Sequence, residues 1–139
     1  MIISVFIRRL KPGATFEDFV CEWEADEGFG VPTRVFNAQS LTDPREIISI
    51  GFVAVTPGQV TRWLSTAPAS EAVRHERIDT VIESTTLRCM YELRTEHDFS
   101  HLPQRIDTGS PASLLTALIS DERSSSPPGA DGAKGGTAS

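Results

Sequence analysis

His75 is the side chain best suited to moving a proton, because imidazole titrates near neutrality. It sits in Ala72-Val73-Arg74-His75-Glu76-Arg77, so a solvated, charged helix face is an equally natural place for it. Tyr91 is the single tyrosine; its hydroxyl can stabilise a phenolate or enolate, or bond a local partner in a core. Trp63 offers a flat ring for stacking and one N–H donor, or simply core volume. Asn37 can hold a carbonyl or satisfy a strand edge, and Ser4 adds a small hydroxyl inside the first apolar run. These types suit proton abstraction from a flat, electron-rich small molecule held in a dry pocket. His97 and His101 lie at the exit from the ordered region and carry little weight. The histidines are scattered, and Glu17, Glu22, Glu24 and Asp26 spread over a solvated helix face, so no metal site is expected. There is no Gly-rich phosphate loop, nucleophile elbow or CxxC, so no bound cofactor is expected.

The elements that must position these residues are readable from periodicity. Ile2–Leu10 is a nearly continuous apolar run, the pattern of a strand buried on both faces, and Lys11-Pro12-Gly13 ends it. Thr15 caps a helix reaching Asp26, with Asp18 and Glu17 in its first turn; Phe16, Phe19, Val20 and Trp23 mark its apolar stripe. Gly28, Gly30 and Pro32 stop it. Thr33–Val55 holds two strands, Arg34–Leu41 and Ile47–Val55, separated by the turn Asp43-Pro44-Arg45. Gly51 inside the second points to a bulge or a close approach by another chain or ligand. Thr56-Pro57-Gly58-Gln59 starts a second helix that runs to Ser84, with Val60, Trp63 and Leu64 buried, a break at Pro68 and a restart capped by Ser70. Ile78, Val81 and Ile82 form the apolar face of its second half. Thr86–Arg94 is a last strand in which Leu87, Cys89, Tyr91 and Leu93 alternate with Arg88, Met90, Glu92 and Arg94. The order β-α-β-β-α-β builds an α+β, ferredoxin-like fold: one antiparallel sheet with both helices on one face.

Length and composition bound the rest. The chain has 139 residues, 39% hydrophobic and 23% charged, ordinary for a soluble globular protein. A net charge of −6 argues against a nucleic-acid partner; Arg8, Arg9 and Lys11, the densest basic group, read as a solvated strand end. Cys21 and Cys89 read as buried free thiols, which suit a reducing compartment. No apolar stretch approaches the roughly 20 residues of a membrane span, and Met1–Val5 lacks a signal peptide's basic segment. A cytoplasmic location and no membrane partner are therefore expected. Residues 1–100 form the folded domain. Residues 101–120 are an extension in which Leu114, Leu115, Leu118 and Ile119 sit at helical spacing, either folded back or available for docking. Residues 121–139 are Ser-, Pro-, Gly- and Ala-rich and read as a disordered tail.

The element order, the Trp63-Leu64 pair early in the second helix and Ala72…His75 downstream resemble the dimeric α/β-barrel superfamily. That superfamily includes antibiotic-biosynthesis-type and haem-degrading monooxygenases and muconolactone isomerases. The resemblance covers residues 1–100. It implies a ligand site between helices and sheet, where Ser4, Asn37, Trp63, His75 and Tyr91 are the candidates to line it. In haem-degrading members a helix histidine ligates iron beside an asparagine on the first strand. Here the first strand reads Ser4-Val5-Phe6-Ile7-Arg8 and the corresponding helix position is Val73, so no haem is expected. A homodimer is expected on independent physical grounds. Ile3, Val5 and Ile7 share one face of the first strand and Ile2 and Phe6 the other; Ile48, Ile50 and Phe52 oppose Ile47, Val53 and Val55 on the third strand, and a monomer would expose one set or the other. Two sheets packed face to face form the dimeric barrel. Two functions follow: a cofactor-independent monooxygenase or isomerase/cyclase acting on an aromatic or polyketide-like molecule, or a non-catalytic homodimeric module that binds a ligand or a protein.

Overall fold

The computed structural model describes residues 1–25, 27–99 and 102–106. Its elements are β1 (Ile2–Leu10), α1 (Phe16–Trp23), β2 (Thr33–Gln39), β3 (Glu46–Val53), α2 (Val60–Ser65), α3 (Ala69–Asp79), β4 (Ile82–Glu92), β5 (Glu96–Asp98) and β6 (Gln104–Ile106). Strands β1 to β4 form an antiparallel sheet in the order β2-β3-β1-β4. This α+β arrangement is compatible with a ferredoxin-like fold.

Local chemistry sets the helix ends. The Thr15 backbone N–H donates to Asp18 Oδ2 at 2.8 Å, and the Asp18 N–H donates to Thr15 Oγ1 at 3.1 Å, closing a capping box on α1. The Thr56 N–H donates to Gln59 Oε1 at 2.9 Å, and a 3₁₀ turn, Pro57–Gln59, leads into α2. Pro68 separates α2 from α3 and is itself the N-cap of α3. Ser70 is not a cap; it donates to Glu27 Oε2. The helical reading to Ser84 is corrected as well. Helix α3 ends at Asp79 and Ile82 opens β4, where it pairs with Leu10.

The core is split in two. Leu10, Phe19, Ile47, Ile78 and Ile82 form one buried cluster, with Phe16, Trp23 and Val81 packed on it. Ile2, Val53 and Val55 form the other, with Val31, Val60 and Trp63 around them. Both lie between the sheet and the helices, at opposite ends of β1 and β3. Between them on the same face β1 carries Ser4, Phe6 and Arg8, and β3 carries Ser49 and Gly51. The small residues among these leave space that the large ones at the sheet's ends fill.

The other sheet face carries Ile3, Val5, Ile7, Ile48, Ile50 and Phe52, each only half-buried. Phe36 and Tyr91 extend it and are 42% and 46% exposed. Phe36 meets Phe52 edge-on, with centroids 6.0 Å apart. No helix among the described residues covers this face.

One further expectation changes: both thiols are free, but Cys21 is exposed and Cys89 half-buried. Strands β5 and β6 pair with each other, apart from the four-stranded sheet. Leu114, Leu115, Leu118, Ile119 and the segment 121–139 lie outside the described residues. No helix among those described is long and apolar enough to cross a membrane.

Candidate functional site

Between the two core clusters lies a cavity of about 270 Å³. Its floor is the centre of the sheet: Ser4, Ser49 and Gly51. Gly51 is required by close approach. A Cβ there would stand 2.6 Å from Ser4 Oγ, so the close neighbour is the adjacent strand, and the register runs through Gly51 without a bulge. The walls are apolar and aromatic. Phe6, Val35, Val53 and Met90 come from the sheet; Trp23, Phe29, Trp63 and Leu64 come from α1, the loop after it and α2. An engineered cavity of about 150 Å³ holds benzene, so this one suits one or two rings.

Its polar side is cationic. Arg8, Arg74, Arg88 and His75 line the cavity with one carboxylate, Glu71. Arg74 and Glu71 neutralise each other through a two-bond contact at 2.8 and 2.6 Å. Arg74 also donates to the Trp23 carbonyl at 3.3 Å and lies 4.8 Å over the Trp23 ring, which ties α3 to α1. Arg8 is 4% exposed, not a solvated strand end. It donates to Ser49 Oγ at 3.2 Å, and its guanidinium lies 4.2 Å from the Phe6 centroid. Arg88 lies 5.4 Å from the same ring. Burial, then the charges of Arg74 and Arg88 against an opposing pull from Asp79, lower the Arg8 pKa to about 10, so it remains a cation at neutral pH.

His75 faces the same space, 6.3 Å from Phe6 between centroids. Desolvation, followed by the charges of Arg74 and Arg88, pushes its pKa below the usual value and outweighs the pull of Glu71, 3.9 Å away. The imidazole is therefore neutral at pH 7 and able to accept a proton.

The structure brings together three of the five residues singled out from the sequence: Ser4, Trp63 and His75 all line the cavity. The Trp63 N–H is already engaged, donating to the Phe29 carbonyl at 3.0 Å, so its ring rather than its N–H faces a ligand. Asn37 sits beside the floor on the edge strand β2, where Ser49 Oγ donates to its Oδ1 at 2.6 Å; it orients Ser49, which in turn holds Arg8. Tyr91 is not brought to the site. It pairs with Ile3 on the uncovered face, and the neighbouring Cys89 holds its pKa above the ordinary value, so it stays a neutral phenol.

Sequence reasoning missed Arg8, Arg74, Arg88 and Phe6. The signal for Arg8 was its phase. It shares a strand face with Ile2, Ser4, Phe6 and Leu10, so a strand buried on both sides had to bury it. Among the described residues, no group of three or more His, Cys, Asp or Glu side chains is placed to hold a metal ion. Comparison with family models, curated proteins and solved structures finds no match to this chain.

Proposed function

We propose that the protein is a small enzyme of the dimeric α/β-barrel type. It takes a flat aromatic or short polyketide-like molecule into the cavity and abstracts a proton from it with His75, without a bound cofactor. The observation that carries this reading is the cavity itself: a neutral imidazole and two guanidiniums, neither paired with a carboxylate among the described residues, gather at the Phe6 ring between aromatic walls. A base that lifts a proton leaves an enolate or phenolate, and fixed cations nearby stabilise the charge as it develops. The carbanion then takes the proton back at another carbon, as in an isomerase, or adds to a carbonyl of the same molecule, whose oxygen takes the proton, as in a cyclase. Alternatively it reduces dioxygen: a CH2 becomes a C=O that retains one oxygen atom, the other leaves as water, and the substrate supplies all four electrons.

We also propose that the functional unit is a homodimer joined through the uncovered sheet face. Four strands about 4.8 Å apart, rising about 3.3 Å per residue, give that face roughly 500 Å² per protomer. Two such faces reach the roughly 1,000 Å² at which specific interfaces begin. The free thiols of Cys21 and Cys89 suit a cytoplasmic setting.

The test is a screen of hydroxylated one- and two-ring aromatics by thermal shift, followed by turnover and oxygen uptake with each binder. Turnover lost in His75→Ala while binding persists supports the reading. Binding with no turnover in either protein favours the second reading, a non-catalytic homodimeric ligand-binding module.

A further inference from the structure

We propose that the cavity selects an aromatic ligand bearing a carboxylate, with Arg8 and Arg88 as the groups that hold the anion. The inference rests on the cavity being a small-molecule site and names the substrate class. Three observations carry it.

The first is charge without a partner. Among the described residues, the carboxylate lining the cavity, Glu71, is committed to Arg74. Neither Arg8 nor Arg88 has an ion pair there with any carboxylate. Arg8 is buried, and a buried arginine without a carboxylate is uncommon, because removing a charge from water costs several kcal/mol unless an opposite charge meets it. Asp79 acts on Arg8 only through space.

The second is how the two cations are held. Both guanidiniums lie against the ring of Phe6, at 4.2 and 5.4 Å. A ring face attracts a cation without consuming its N–H groups. Among the described residues Arg8 gives one hydrogen bond, to Ser49 Oγ, and the rest of its fork stays available for a planar, two-point carboxylate contact. The chain Asn37–Ser49–Arg8 fixes the direction of that fork.

The third is the division of the cavity. The aromatic walls from Trp23, Phe29 and Trp63 stand on the helix side, where the one guanidinium, Arg74, is neutralised by Glu71, and the two cations without a carboxylate, Arg8 and Arg88, rise from β1 and β4. An aromatic acid has the same division, a ring at one end and a planar anion at the other. At about 270 Å³ the space fits two fused rings with one such group.

The experiment compares 2-naphthoate with its neutral isostere 2-naphthamide, by calorimetry on the full chain at pH 7.5. Naphthoate is expected to bind about tenfold or more tightly than the amide, the usual gain for a charge-assisted bond over a neutral one. In Arg8→Met and in Arg88→Met the preference should shrink to about threefold or less. Equal affinity of the two probes for the wild type overturns the carboxylate inference and leaves the aromatic site standing. No binding of either overturns both. A preference that survives in both variants overturns the assignment to Arg8 and Arg88. The wild-type comparison needs no variant to fold, and Arg88 lies on an exposed strand position where methionine is readily accommodated.

Discussion

Replacing Phe36 by aspartate should separate the two protomers of the proposed homodimer without unfolding either. Phe36 is 42% exposed on the uncovered sheet face. Taking roughly 200 Å² for a phenylalanine side chain, about 80 Å² remains to be covered by a partner. At about 25 cal/mol per Å², full coverage contributes about 2 kcal/mol per protomer. Two-fold symmetry doubles this to about 4 kcal/mol, close to a thousandfold in the dissociation constant. The aspartate adds the cost of a carboxylate pressed against Ile50 and its symmetry mate. Within the protomer the variant loses the edge-on contact with Phe52, worth about 1 kcal/mol. The assay is sedimentation velocity over a concentration series, with the melting temperature as control. Wild type should sediment as a dimer at micromolar concentration and the variant as a protomer that melts only a few degrees lower. A wild-type protomer that stays single at tens of micromolar would refute the reasoning, as would a variant that dimerises unchanged.

Gly51→Ala should cost about 1–3 kcal/mol, because its Cβ falls 2.6 Å from Ser4 Oγ. Adding Ser4→Ala should recover most of that loss in denaturant titrations; strict additivity would show that the clash is not the cause. Trp63→Phe should cost about 1 kcal/mol through the lost bond to the Phe29 carbonyl, read as a lower urea midpoint. His75 has its folded pKa below the unfolded value, so the unfolded chain binds more protons as pH falls through and below 6.5. Stability therefore declines on acidification through that window, and wild type should lose more melting temperature between pH 7.5 and 5.5 than His75→Asn does. Identical declines would mean the imidazole is not depressed.

Much of the scaffold was legible because it is local. The Thr15/Asp18 capping box, the break at Pro68 and the two apolar phases of β1 and β3 are each set by neighbours a few residues apart. Which way β4 faces was not. Its alternation was read correctly, but Leu87, Cys89 and Tyr91 point to the uncovered face, and Arg88 and Met90 point beneath the helices. Amphipathicity gives a period, not a direction. The usual assumption that the apolar side meets the helices fails when the inner side holds a polar-ended cavity and the outer side is oily. The same inversion hid the site. Tyr91 was placed inside and Arg8 outside, because the type of a side chain was weighed above its phase. The cavity was legible in part. Ser4, Trp63 and His75 follow from the element order, whereas the Phe6 ring that gathers Arg8, Arg88 and His75 depends on register across three elements.

The most direct measurement is an amide chemical-shift map of the protein titrated with 2-naphthoate. The account predicts shifts concentrated at Phe6, Arg8, Gly51, Trp63, His75 and Met90, with Phe36, Ile50 and Tyr91 on the other face unmoved. Shifts centred on that other face, or a spectrum unchanged at saturating probe, would contradict it.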